Sequence, residues 1–496
     1  MKPISIAIVG GGTAGWMAAN LFAQKWADKP VNITLIESPD IGIIGVGEGS
    51  TPTLKRFFNM LDISESQWMP ECNATYKVNI RFKDWSPQSG IESYSHPFTS
   101  QVDTFTSRSF HVNTRTRRLG LDTYVTPEDF FLNGVLANQG KGPVAPSNFP
   151  FIMEYGYHFD SALLGQFLAK TAQSKGVNHL QAKVTDVTRH QSGDIASVIT
   201  QEQGEISADF FVDCTGFSAL LMDKTLGVNF KSYKDNLFND SAVVMPTAID
   251  DVIPVETLAT ALSTGWVWKI PLTNRYGNGY VFSSDFITND AAETEFRKHL
   301  GTLNDDTTCH HLKMKVGRLD KQWSHNCISI GLSQGFIEPL EATALHLVQL
   351  SLEMFIEQFE KGGFSNQHQQ HYNEFTSERF ERVRDYIVAH YKMNTRTDSE
   401  YWRANRDNTE LSRSLIQILN SWFNREDLTD EIHRQHLQSH FDTSSWHCLL
   451  AGYGAFPPLA EKQPNQGDLY QDNNIEQFLS GCALNFKNHN NNLQFK

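Results

Sequence analysis

The sequence predicts an α/β fold: a Rossmann-like βαβ unit at the start, more strands through the middle, and a mostly helical stretch after Ser365. Three observations lead there. Ile4 to Val9 is a nearly continuous apolar run with β-branched residues, the pattern of a strand buried on both faces. Gly10 to Gly15 follows without a spacer, and Trp16 to Trp26 then reads as a helix. Val31 to Glu37 is a second strand, closing the unit.

Within that unit Gly10, Gly12 and Gly15 fit G-x-G-x-x-G. The first glycine allows a tight turn, the second lets backbone approach a pyrophosphate, and the third lets helix and strand pack closely. Phosphates then sit at the positive end of the following helix, beside Thr13 and Ala14. Glu37, 22 residues beyond Gly15, is placed to bind a ribose hydroxyl. Asp213-Cys214-Thr215-Gly216 ends a later strand, and with the first loop it favours FAD over NAD.

The rest of the chain follows in order. Ala74 to Phe82 alternates with period two and reads as one strand, with Thr75, Lys77, Asn79 and Arg81 on one face. Trp85 to Pro150 is rich in Ser, Thr, Pro and Gly and reads as a long irregular elaboration of a binding site. Ser161 to Lys175 is a helix, Asn326 to Leu332 a buried strand, and Thr343 to Lys361 a long helix stopped by Gly362-Gly363. Glu378 to Tyr391 is a further helix, and the asparagine-rich Asn488 to Asn492 is expected to fray. These elements suggest two discontinuous domains: 1–90 with 151–345 for the nucleotide, and 91–150 with 346–496, mostly helical, for a substrate.

Bulk properties exclude several classes. The 496 residues exceed what one core fills, since single cores rarely grow past roughly 300 residues. A net charge of −14 argues against nucleic acid, which needs a basic surface. No apolar run approaches the ~20 residues of a membrane span. Six scattered cysteines without a CxxC pair read as reduced thiols, and no signal peptide precedes the first strand, so a cytoplasmic protein is expected. His433, His436 and His440 share helical spacing but match no ligand motif, and no metal is assigned.

Several segments carry a resemblance. Gly265 to Pro271 (GWVWKIP) contains W-x-W-x-I-P. With Gly10 to Met17 (GGGTAGWM), Ile44 to Glu48 (IGVGE), Trp68-Met69-Pro70, Gly279 to Ser284 (GYVFSS) and Ile330 to Glu341 (IGLSQGFIEPLE), it resembles the flavin-dependent halogenases of the tryptophan halogenase type over most of the chain.

The resemblance implies an FAD domain of the aromatic-hydroxylase type, with Gly47, Glu48, Gly216 and Gly331 joining the first loop and Asp213 around the cofactor. It implies that reduced FAD, oxygen and chloride or bromide give hypohalous acid, which halogenates a small aromatic molecule. By the same resemblance Lys77 in NATYK and Glu341 in EPLEAT form the halogenating centre. An ammonium has three donors to hold and polarise the oxidant, or it could form a haloamine, and a carboxylate can take the ring proton. Halide would meet the amides of Thr343 and Ala344 at a helix start. Trp266, Trp268 and Pro271 would separate flavin from substrate, and His96, Phe98, Phe441 and Trp446 would hold the substrate ring.

Two departures matter. The family's tryptophan-active members carry Ser-Thr-Gly where this chain has Ala342-Thr343-Ala344, which predicts a stiffer loop at Ala344. Their Tyr-Tyr pair is absent from Leu428 to Ser439, so indole or another indole-like or phenolic ring is expected before free tryptophan. No second nucleotide loop is evident, so reduced flavin is expected from a separate NADH-dependent reductase, and the oligomeric state stays open, a homodimer included. Competing readings are an aromatic flavin monooxygenase, in which substrate reaches the flavin, and a non-catalytic flavin-binding protein.

Overall fold

The computed structural model describes residues 3–40, 47–437 and 441–495. Its chain divides into two compact units. The first comprises Met1–Ala74, Phe159–Lys234 and Met314–Glu381, and the second Thr75–His158, Asp235–Lys313 and Arg382–Lys496. The strand of Lys77 and the strand of Trp266 and Trp268 thus fall in the second unit. The expected division had put both with the nucleotide loop.

The first unit is built on a six-stranded sheet in the order Trp323–Ser324, Cys327–Ser329, Phe210–Asp213, Ile4–Val9, Val31–Glu37, Asn178–Gln181. All neighbours are parallel except the first pair. Ile6, Ala7, Ile8 and Val9 are fully buried because both sheet faces are covered, which is why the run has no polar alternation. On one side lies the helix Thr13–Lys25, buried from Gly15 to Phe22. Phe22 packs near Phe355 of the helix Ala344–Lys361, and Asn20 donates its amide to Leu168 O of the helix Ser161–Ser174. Asp160 caps that last helix by accepting from the amides of Ala162 and Leu163.

The second unit is built on a seven-stranded mixed sheet. Its order is His310–Lys313, Ser241–Thr247, Tyr276–Phe282, Gly265–Pro271, Glu256–Leu262, Asn79–Ser86, Ile91–Pro97. Only Glu256–Leu262 and Asn79–Ser86 run parallel to each other. Helices accompany the sheet, among them Ser107–Arg117, Arg413–Phe423 and Thr443–Gly452.

Four local expectations need correction. Ala74 to Phe82 is two strands, Thr75–Lys77 and Asn79–Ser86, parted at Val78, whose amide donates to Val255 O and whose carbonyl accepts from Phe98. The stretch Trp85 to Pro150 is not irregular: it holds the strand Ile91–Pro97 and the helices Ser107–Arg117 and Leu132–Asn138. The first of those helices is too rich in Ser, Thr and Asn to announce itself, and forms because Phe110 packs on Phe130 and Phe131. The helix expected at Glu378 to Tyr391 extends over Gln369–Lys392. The Asn-rich tail is anchored, not frayed: His489 is buried in the turn His489–Asn492, accepts from the Tyr76 amide and meets Ile253 O.

Candidate active site

In the first unit the glycine loop shows why its residues are glycines. Gly10 has φ +117°, and a Cβ there would lie 2.1 Å from Cys214 O. A Cβ on Gly15 would lie 2.0 Å from Gly10 O, so helix and turn can touch only without it. Gly12 differs: its φ of −71° suits any residue, and among the described residues nothing beyond its own chain neighbours stands within 4 Å of a Cβ. The described residues therefore give no reason for glycine at 12, whereas a group approaching the open side of the helix start does. First-turn amides, those of Thr13 and Ala14 included, lack intrahelical partners and face that side.

Among the other predicted cofactor residues, Glu37, Gly331 and the turn after Asp213 adjoin this loop. Glu37 lies over the loop, for a Cβ on Gly11 would meet its Oε1 at 2.4 Å, and its Oε2 is 3.0 Å from Nε2 of His179. His179 stands edge-on to Trp16. Gly331, at φ +75°, lies so near Ala14 that a Cβ would meet that side chain at 2.7 Å. Asp213 turns inward: it accepts from Thr215, Leu221 and Met222, and burial raises its pKa against those bonds. It holds the turn that contains Gly216, at φ +67°. Glu48, beside Gly47 in a short strand, keeps some accessible surface but is crowded on every side. That burial raises its carboxyl to about 7, a hydrogen bond with Ser161 lowers it and the charge of Asp160 raises it. Ile44 to Val46, the rest of that motif, lie outside the described residues. The open cradle at Gly12, with the Glu37 carboxylate beside it, has the donors and acceptor that fit a dinucleotide such as FAD.

Glu341 is buried, 3% exposed, at the end of the turn Pro339–Glu341. Thr343 precedes the first turn of the helix Ala344–Lys361, and its carbonyl accepts from Leu347. The special backbone falls at Ala342, with φ +55° and ψ +36°, while Ala344 is ordinary helix. The loop's strain thus sits two residues before the place expected. His346 in that first turn is held neutral, its pKa lowered by burial to about 4.

In the second unit Lys77 is 0% exposed on the strand Thr75–Lys77, and its Nζ stands 5.4 Å from the centre of the Phe98 ring. Lysine is almost never fully buried without compensation, so the solvated surface lysine that its polar strand face would suggest is excluded. The strand pairs antiparallel with Gly156–Asp160, which sets Thr75 opposite His158 and Lys77 opposite the side-chain-free Gly156. His158 is fully buried, and burial, then the charge of Lys77, hold its pKa well below the ordinary value.

The aromatic residues form two groups. Trp266 and Trp268 share one face of their strand with ring centres 6.1 Å apart and are 1% and 8% exposed. Trp268 lies opposite Ala259 and Gly279, and a Cβ on Gly279 would come within 2.1 Å of the indole. His96 and Phe98 are each partly accessible, and His96 Nε2 is 3.0 Å from Ser445 Oγ. Phe441 stacks flat on Tyr386 at 3.7 Å, Trp446 meets Tyr386 edge-on, and His96 lies 6.3 Å from Phe441. Tyr386 is the centre of this group and had no sequence signal beyond a helical position. Sequence reasoning also passed over His158 and His179, isolated histidines in strands.

His433 and His436 are exposed, with His436 beyond the end of the helix Leu428–Arg434 at φ +56°, and His440 lies outside the described residues. Among the described residues no group of three or more His, Cys, Asp or Glu could hold a metal ion, and no helix is long and apolar enough to cross a membrane.

Comparison with known proteins places these features in context. The family model described as tryptophan halogenase matches residues 5–466. The tryptophan 6-halogenase SttH of Streptomyces toxytricini is 38% identical over 424 residues, 81% of this chain and 80% of that protein. The 7-chloro-L-tryptophan 6-halogenase KtzR of Kutzneria sp. (strain 744) is 37% identical over 479 residues, 90% of each. The crystal structure of SttH superimposes with a TM-score of 0.85 at 31% identity over the whole of both chains. Tar14, a tryptophan C-6 flavin-dependent halogenase (chlorinase) from taromycin biosynthesis, does so with a TM-score of 0.83 at 32% identity, covering 98% of each chain.

Proposed function

Because this chain belongs to the tryptophan halogenase family of flavin-dependent enzymes, we propose that it halogenates an electron-rich, indole-like aromatic through hypohalous acid held by Lys77. Reduced FAD, when bound, would supply two electrons and two protons that, with oxygen, one further proton and chloride or bromide, give hypohalous acid and water. The residues do the rest. Lys77 donates hydrogen bonds to the hypohalous oxygen and polarises the halogen, a role strengthened where water is excluded. Glu341 takes the proton that the ring loses, and the amides at Thr343 and Ala344 hold the halide. His96, Phe98, Phe441 and Trp446 supply flat faces for the substrate ring, and Trp266, Trp268 and Pro271 keep substrate from the flavin. Reduced flavin comes from a separate NADH-dependent reductase, in the cytoplasm.

The observation that carries this reading is the complete burial of Lys77 against Phe98, beside a histidine kept neutral. The test supplies a flavin reductase, NADH, oxygen and a panel of indoles, phenols and tryptophan with each halide, read by mass spectrometry. One halogen mass added per ring is expected. Lys77→Met keeps the side chain's length without its charge, so FAD binding and Tm should hold while halogenation falls at least ~100-fold. Undiminished halogenation by Lys77→Met, or oxygenated product in halide-free buffer, would overturn the proposal.

A further inference from the structure

We propose that His158 is a positioning residue: through Thr75 and Thr257 it ties the strand of Lys77 to the strand Glu256–Leu262, while holding the Thr75 hydroxyl in its bond to Pro271 O. The inference rests on the role proposed for Lys77, but its geometry stands apart from that role. Thr75 Oγ1 lies 2.7 Å from Pro271 O, which can only accept, so the threonine proton is committed there. The same oxygen lies 3.1 Å from His158 Nδ1 and can then only accept, which puts the imidazole proton on Nδ1. Nε2, left without a proton in the neutral ring, accepts from Thr257 Oγ1 at 2.8 Å. All three side chains are buried, at 0%, 0% and 7% exposure for Thr75, His158 and Thr257.

The chain of bonds joins four strands at one point. Thr75 belongs to the strand of Lys77, His158 to Gly156–Asp160, Thr257 to Glu256–Leu262, and Pro271 ends the strand of Trp266 and Trp268. Thr75 and His158 are a directly opposed antiparallel pair, and Lys77, two residues on from Thr75, projects to the same face. His158 is therefore the side chain that holds the start of the lysine's strand to the strand Glu256–Leu262, which pairs with the strand of the tryptophans. Its buried ring also adds no positive charge beside Lys77, because the neutral form is the one the surroundings favour. A short strand of three residues has few ladder bonds of its own, so its position depends on such side-chain links.

His158→Phe retains a ring and deletes both bonds. A misplacement of about 1 Å in a reacting group costs on the order of 100-fold in rate. The expected result is a kcat lower by ~10- to 100-fold with substrate KM within about threefold, and a larger share of hypohalous acid escaping to a 1,3-diketone trap. His158→Gln, which can donate and accept, should recover part of the loss. Thr75→Val also deletes the bond to Pro271 O, which His158→Phe leaves in place, so the double variant should lose more than His158→Phe but less than the sum of the two single losses, because the two share the Thr75–His158 bond. A readout independent of halogenation is the rate at which an amine-acylating reagent labels Lys77, followed by peptide mass spectrometry. It should rise about tenfold in His158→Phe relative to the other lysines. Should that variant fail to fold, Thr257→Val deletes one bond only and should show the same changes at a few-fold size. Parent-like kcat, trapping and labelling in whichever variant folds would overturn the inference. Halogenation absent from the parent protein, with Lys77 labelling still raised in His158→Phe, would instead overturn the role given to Lys77 and leave the positioning intact.

Discussion

Replacing Gly12 with alanine separates the needs of the fold from those of the cofactor. Among the described residues nothing beyond the chain neighbours lies within 4 Å of the added Cβ, and φ −71°, ψ 176° is open to alanine. Loss of unfolded-chain freedom stabilises by ~0.4–1 kcal/mol, while alanine is a worse N-cap than glycine by a comparable ~0.5–1 kcal/mol. The two nearly cancel, so the protein without FAD should keep its Tm within about 3 °C. If a pyrophosphate sits against this helix start, the methyl group occupies its approach. Displacing it from even one charge-assisted hydrogen bond costs ~1.5–3 kcal/mol, which is ~10- to 100-fold in Kd. Titration of the deflavinated protein with FAD, followed by flavin fluorescence, measures that change directly. Gly10→Ala is the control: its Cβ would lie 2.1 Å from Cys214 O at φ +117°, so it should damage the fold itself. A Gly12→Ala protein that binds FAD as tightly as the parent would refute the placement of the cofactor.

Two further outcomes follow from the backbone and the carboxyls. Glu48 has its carboxyl raised from 4.5 to about 7 by burial, so the fold favours its neutral form. Its contribution is complete below about pH 4.5 and is lost as pH rises through 7, and Glu48→Gln should remove that slope. The Tm of the parent relative to the variant should therefore fall between pH 4.5 and 7 and level off above; parallel curves would contradict this. Ala342 holds φ +55°, a conformation that costs a non-glycine residue about 1–2 kcal/mol. Ala342→Gly relieves that and gives back ~0.4–1 kcal/mol of unfolded-state entropy, for a net gain of up to about 1 kcal/mol in denaturant unfolding.

The glycine loop was legible because its logic is local. Six consecutive residues set a turn, a strand precedes them and a helix follows, and Gly15 answers to Gly10 O within the same turn. The tryptophan strand was legible for a similar reason: period two puts both indoles on one face whatever lies opposite. The helix Ser107–Arg117 was not, since its own residues favour it weakly and Phe110 finds partners about twenty residues away. The tail at His489 was misjudged on composition, because its anchor, the amide of Tyr76, lies 413 residues earlier.

Lys77 divides the two kinds of knowledge most sharply. Residue type and motif alone carried the resemblance to the tryptophan halogenase family, to which the chain belongs, through local patterns such as the Gly10–Gly15 loop and the two tryptophans. Only the tertiary structure decided that the lysine is wholly buried, that Gly156 stands opposite it, and that Thr75 of its strand bonds both Pro271 O and His158. Burial and protonation are properties of the surroundings, and the partners of Thr75 in that strand lie 83 and 196 residues away along the chain.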